Sequence, residues 1–167
     1  MKKIILCAIC AICGFTTANA QKFGHVNSQE VIQAMPEFAK ARTDIEALTK
    51  QYEADLKSMQ EELQKKSEAY EKEQATLPAN IKQRRETEIT ELQQRFQQSI
   101  QDNQQALAKE QNEKMQAITT KVVDAIKSVG QAGGYVYIMD MASGIPYIST
   151  TLSTDVTAQV KAKLGLK

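Results

Sequence analysis

Glu37 to Leu77 reads EFAKARTDIEALTKQYEADLKSMQEELQKKSEAYEKEQATL, and Pro78 follows directly. The stretch has no glycine and no proline, and Glu, Gln, Lys, Ala and Leu, all strong helix formers, dominate it. Apolar residues fall at Phe38, Ala41, Ile45, Leu48, Tyr52, Leu56, Met59, Leu63, Tyr70 and Leu77. Their steps of 3, 4, 3, 4, 4, 3, 4, 7 and 7 describe a coiled-coil seam with one stutter, where two steps of four adjoin. Leu77-Pro78-Ala79-Asn80 breaks the helix, because the proline ring clashes with the turn before it. Asn80 is the expected cap of the next helix.

The seam resumes at Ile89, Leu92, Phe96, Ile100, Leu107, Met115, Ile118, Val122, Ile126 and Val129. Asn103 and Gln111 interrupt it at seam-like spacing, where polar residues weaken packing and fix register. Two long helices joined by so short a break are expected to fold back as an antiparallel hairpin. The first, at 41 residues, spans about 60 Å at 1.5 Å per residue. An arm of that length must project.

The flanks are different in kind. Lys22 to Asn27, KFGHVN, reads as a short strand. Ser28 is the expected cap of a short helix, with Glu30 suited to its positive end, and Pro36 opens the arm at a first-turn position. Beyond the arm, Gly130 and Gly133-Gly134 are expected to end the return helix. Tyr135 to Met139, YVYIM, reads as a strand buried on both faces. Ile145 to Ser149 reads as a further strand, placed towards an edge by Pro146. Thr154-Asp155 is expected to open a last helix, with Val156, Val160 and Leu164 on one face and Gly165 closing it.

The fold class is therefore mainly α with a small β body, a long antiparallel hairpin projecting from a sheet built by both chain ends. Residues 21–36 and 130–167 form the body, and 37–129 the arm, with its tip near 77–85. So small a sheet leaves YVYIM incompletely covered, and oligomerisation through the body is the expected remedy. Phe23, Val26, Tyr135, Val136, Tyr137, Ile138 and Met139 are its candidate residues.

Residues 1–20 have the pattern of a secretory leader: Lys2-Lys3, twelve apolar residues from Ile4 to Phe15, then Ala18-Asn19-Ala20. Cleavage is expected before Gln21. All three cysteines lie in this leader, and no small residue directly precedes any of them as a lipoprotein box needs. The remaining chain carries no thiol and rests on packing alone. Without Lys2 and Lys3 it has 19 basic against 20 acidic residues, which argues against nucleic acid as a partner.

Chemistry has little to work with. His25, the one histidine, sits in a strand-like segment without an evident catalytic partner. No ligand spacing suits a metal, and the glycines precede a strand, the wrong order for a phosphate loop. No cofactor and no enzymatic activity are expected. On the arm, Tyr52, Met59, Tyr70, Phe96 and Met115 are the candidate contacts for a client. Packing of the hairpin itself is the plainer role for each of them, yet flexible Met and amphipathic Tyr suit weak, adaptable binding. Lys82, Arg84 and Arg85 form a basic cluster just past the bend, a candidate contact for anionic lipid or client. Solvation is its plainer role, since Glu86 and Glu88 lie beside it.

GHVNSQEVIQAMPEF near the start, AIKSVGQAGGYVYIMD near the end, PYIS, and Asp155-Val156-Thr157 with Val160 two residues after Ala158 together resemble the Skp/OmpH family of periplasmic outer-membrane-protein chaperones. The likeness covers essentially the whole chain after the leader. It implies a homotrimer whose β body joins both ends of three subunits, with three hairpins enclosing an unfolded outer-membrane β-barrel protein and holding it without ATP. The near-neutral charge departs from the strongly basic members, which weakens the case for lipid contact at the tips. The competing reading is a structural coiled-coil adaptor or spacer of a cell-envelope complex, binding one folded partner at the tips. Excising the arm between Tyr52 and Ile100 should leave an assembled body that no longer keeps an unfolded barrel soluble; retained holding would move the binding site to the body.

Overall fold

The computed structural model describes residues 21–166, so the leader lies outside the described residues. Strand β1 (Lys22–Val26) leads into helix α1 (Ser28–Ala34). Helix α2 (Pro36–Glu73) runs outward, and helix α3 (Ala79–Gly133) returns. Strand β2 (Tyr135–Asp140), a single 3-10 turn (Met141–Ser143), strand β3 (Ser153–Asp155) and helix α4 (Thr157–Lys163) complete the order. The fold is mainly helical, a long antiparallel hairpin on a small sheet made by both chain ends, as its sequence indicates.

The sheet has the order β2-β1-β3, with both pairs parallel. A register shift between Lys22 and Phe23 puts Phe23 opposite Tyr137, so one β2 residue bulges there. On one face Gly24, Val26 and Ile138 meet the helices, and Tyr135 joins them across the bulge. A Cβ at Gly24 would stand 3.1 Å from both Ile138 Cγ1 and Tyr135 Cδ1, so this strand needs glycine for close approach.

The core gathers Val26, Val31, Met35, Ile118, Val122, Ala125, Val129, Val156 and Val160. Val26, Val31, Val156 and Val160 are wholly inaccessible. Each stabilises the body by about 1.5–3 kcal/mol relative to exposure. The last third of α3 belongs to this core, while the rest of α3 pairs with α2 in the arm.

Several local expectations are corrected. Asn27, not Ser28, caps α1: its Oδ1 accepts from Glu30 N at 3.1 Å. Ser28 instead donates its N–H and its hydroxyl to Asp140 at 3.2 and 2.6 Å, and Asp140 also accepts from Ala142 N, which ties the end of β2 to the start of α1. The first arm helix stops at Glu73, four residues before Leu77, and Pro78 is the cap residue of α3, with Asn80 inside its first turn. Gly130 does not end α3; the helix runs to Gly133 and closes at Gly134, whose φ of 64° is the left-handed geometry that glycine accepts. The segment around Pro146 is irregular chain: Ile145 to Ser149 form no strand, and the third strand is Ser153–Asp155. Thr154 and Asp155 are therefore strand residues, and the last helix begins at Thr157, whose N–H donates to Asp155 Oδ1 at 2.8 Å. YVYIM is covered on one face only; as the sheet's edge strand it leaves Val136 58%, Tyr137 48% and Met139 44% exposed. Of the two polar seam positions Asn103 is half-buried, but Gln111 points to solvent.

Val156, Val160 and Leu164 do share the buried face of α4. Gly165 ends it in a Schellman motif, with Gly165 N donating to Ala162 O at 3.0 Å and Leu166 N to Lys161 O at 2.9 Å. Pro36 takes the first position of α2, and Met35 before it is extended, as a residue preceding proline should be.

Gly134→Ala forces a side chain into left-handed backbone with open space around it. It should lower stability by about 1–2 kcal/mol without displacing a neighbour. The shift of the urea midpoint at constant slope measures it; no shift would mean that the α3–β2 corner is not held in this geometry in solution.

Candidate functional site

The hairpin is laced at several levels. Lys121 Nζ donates to Glu37 at 2.9 Å, Lys114 Nζ to Asp44 at 3.0 Å, Lys66 to Glu88, and the Tyr70 hydroxyl to Glu86. Partner numbers fall along α3 as they rise along α2, which is the antiparallel pairing. Every apolar seam position of the first arm helix is half-buried, whereas on α3 only Leu92 is fully buried before the body is reached. Two helices alone cannot enclose a seam; each side chain keeps an edge in water.

These contacts set the charge states. The hydrogen bond from Lys121 holds Glu37 below its ordinary 4.5. Lys114, then Lys40, holds Asp44 below 3.8, and Lys66 holds Glu88 below 4.5. In return Glu88 raises Lys66, and Asp44 with Glu110 raises Lys114, above the usual 10.5. Donation to Glu86 pushes the Tyr70 hydroxyl up to about 12.

Tyr52, Met59, Tyr70, Phe96 and Met115 all lie half-buried in the seam. Their first task is to pack the hairpin. Met115 sits at the arm base, where with Phe38, Ala41 and Ile45 it lines an open apolar groove. At the tip Arg84 is exposed and Lys82 and Arg85 are half-buried. Both arginines act on Glu88, so the basic cluster is partly neutralised within the chain.

The candidate body residues divide between two faces. Val26 is fully buried in the chain's own core, and Ile138 and Tyr135 pack against that core. Lys22 Nζ lies 5.5 Å from the centre of the Tyr135 ring and donates to Gly133 O at 3.2 Å, a cation placed at the negative end of α3. Phe23, Tyr137 and Met139 face outward; the rings of Phe23 and Tyr137 stand 4.8 Å apart. Val136 projects at the bulged edge. The irregular segment before β3 extends the outward face with Ile145, Tyr147, Ile148 and Leu152, among which Tyr147 is 79% and Leu152 77% exposed. The sequence reading took Ile145, Tyr147 and Ile148 as strand residues and gave Leu152 no role. The signal was present in large apolar side chains within a Gly/Pro-bounded stretch too irregular to bury them.

His25 lies on the same outward face, its Nδ1 2.9 Å from Ser153 Oγ. Burial raises Asp155, but bonds from the Thr157 hydroxyl and N–H, with the His25 charge, outweigh it and hold the carboxyl below 3.8. Asp155 Oδ1 is engaged by Thr157 and does not orient the imidazole, so the pair lacks the third member of a nucleophile relay. Among the described residues no group of three His, Cys, Asp or Glu side chains could hold a metal ion, and no helix is long and apolar enough to cross a membrane.

A family model described as outer membrane protein (OmpH-like) matches residues 22–164. Chaperone protein Skp of Yersinia enterocolitica is 27% identical over 153 residues, covering 90% of this chain and 93% of that one. Chaperone protein Skp of Pectobacterium atrosepticum is 25% identical over 144 residues, covering 85% and 87%. A crystal structure described as OmpH-like, from Caulobacter crescentus, superposes with a TM-score of 0.74 at 14% identity, over 86% of this chain and 83% of that one, a likeness of fold.

The carboxylates give the arm a pH dependence of defined sign. With folded values below the ordinary 4.5 and 3.8, their contribution is complete above that range and is lost as pH falls through the lowered values. The lysine contributions are complete below 10.5 and fade only above it. Thermal melts followed by helical circular dichroism should be flat across neutral pH and fall below about pH 4. Asp44→Asn should melt lower at pH 7 and lose less on acidification; an equal acid loss would place the sensitive carboxylates elsewhere.

Proposed function

The chain belongs to the OmpH-like family, and from that premise we propose that it is an ATP-independent chaperone that keeps unfolded outer-membrane β-barrel proteins soluble between its arms. The observation that carries this reading is the extent of the match: it runs from the first residue of β1 to the residue that caps α4, so body and arm are both included. Relatives named chaperone protein Skp supply the activity to propose. After removal of the leader the site of action is the periplasm.

Three chains assemble through the outward sheet face in this reading. Phe23, Tyr137, Met139, Tyr147 and Leu152 form an apolar surface for which the single chain has no cover. The open edge of β2 adds unpaired backbone groups beside it. Three hairpins carried on one body then surround a space, and a client restrained by many weak contacts is released without a chemical step. The tips, where Arg84 and Arg85 act on Glu88, offer at most weak attraction to anionic lipid.

Sedimentation equilibrium of the chain from Gln21, alone and with a urea-diluted outer-membrane barrel, tests both parts. A trimer that carries the barrel in a soluble complex is the expected result. A monomer or dimer that lets it precipitate would turn the reading to a coiled-coil adaptor. Leu152→Asp places a charge on the outward face at a residue that the chain's own core does not use. It should yield folded monomers, with helical content unchanged and holding lost; an intact trimer would move the interface to another surface.

A further inference from the structure

One long side of the arm is surfaced with amides where the other is surfaced with charge. On α3, Gln94, Gln98, Gln101 and Gln105 are exposed on the side turned away from Phe96, Ile100, Asn103 and Leu107, with Gln97 and Gln104 exposed beside it, and Arg95 and Asp102 are the exposed charged residues of the same stretch. At the same height on α2 the exposed residues are mostly charged and include Glu53, Asp55, Lys57, Glu61 and Glu62. Among the described residues no surface ion pair forms on either helix over this length: Arg42–Glu46 and Lys109–Glu113 flank it towards the body, and Lys66 with Glu62 and Glu88 flanks it towards the tip. Between them the surface side-chain bond is Gln98 to Asp102, at 2.8 Å.

Helix formation does not require this choice. Gln, Glu and Lys have similar helix propensities, and Glu–Lys pairs four apart would add stability. What distinguishes the amide is that it donates and accepts at once, through two N–H groups and two lone pairs. An unfolded polypeptide offers a donor and an acceptor at every residue but proline, with no regular partner for either. An amide face can bond to that backbone whatever side chains it carries. A charged face would sort clients by charge and weaken as salt rises. The apolar seam is already half consumed by the hairpin and can supply only its outer edges.

We propose that the glutamine face of α3 is the surface along which the backbone of a held, unfolded polypeptide lies. The inference rests on the holding function proposed above, and deepens it by naming the face and the chemistry of contact.

The test places a photoreactive phenylalanine analogue at Gln101, or at Asp55 on the opposite helix, in the otherwise native full assembly. A urea-unfolded outer-membrane β-barrel protein is then diluted in. Cross-links to the barrel should be severalfold more abundant from position 101 than from 55, and their yield should not change between low and high salt. Equal yields, or a greater yield from 55, would overturn the assignment. So would cross-links from 101 that join two copies of this chain, since the face would then pack arm on arm. A second variant carries Gln94→Glu, Gln98→Lys, Gln101→Glu and Gln105→Lys, which keeps the net charge and adds helix-stabilising pairs. Its assembly should be unchanged while its holding falls severalfold; undiminished holding would overturn the inference. A native chain that leaves the barrel to precipitate from the outset would remove the premise itself, a failure distinguishable because both faces would then be silent.

Discussion

Everything in this molecule depends on the parallel pairing of β1 with β2. Lys22 stands opposite Tyr135 and Val26 opposite Asp140, so the pairing spans more than a hundred residues of chain. Parallel neighbours need a crossover that returns the chain to its starting end. Here the crossover is the whole arm. A helical hairpin is an inexpensive way to make it, because its two legs pair with one another along their length and bring their ends back together. The body cannot form without the arm's return, and the arm has no anchor without the sheet.

The two parts are joined by a single rigid element. Helix α3 is 55 residues long, about 80 Å, and runs as one continuous helix from the arm into the body core. Ile118, Val122, Ala125 and Val129 are buried against α1, α4 and the sheet, while Leu92 to Met115 face α2. A tilt at the body is therefore amplified at the tip. Lys22 at the end of α3, Gly133 beneath the Tyr135 ring and Asp140 between α1 and β2 fix that corner. Along the arm the lacing is of another kind: exposed or half-buried ion pairs and half-buried apolar side chains, each weak and each reached by solvent. A stiff base with a loosely laced arm suits a protein that must keep its assembly while its binding surface adapts.

The arm was legible because its information is periodic. A step of three or four repeated over forty residues leaves no other structure that could bury those positions, and each of them is half-buried in the fold. Errors gathered where one residue decides. Asn27 and Ser28 both have capping side chains, and the choice between them was made by Asp140, a residue 112 positions away that takes both Ser28 donors. The strand expected at Ile145–Ser149 has the right composition, but β1 pairs with Ser153–Asp155, whose side chains bond His25 and Thr157. Among the candidate body residues, alternation turns Phe23, Tyr137 and Met139 outward and Val26 and Ile138 inward, and a single bulge near the start of β2 brings Tyr135 to the inward face with Ile138.

The sequence by itself determined the hairpin, its length, the joining of the two chain ends, and a body too small to cover its own strands, because hydrophobic period and helix propensity are local and add up along the chain. Only the tertiary structure decided strand order, the facing of each side chain in β2, the irregular apolar segment that widens the outward face, and the division of the arm into a charged and an amide side at matched heights. Those depend on which residues meet across the fold. A bulge of one residue or a cap supplied from a distant strand changes the outcome while leaving the local pattern as it was.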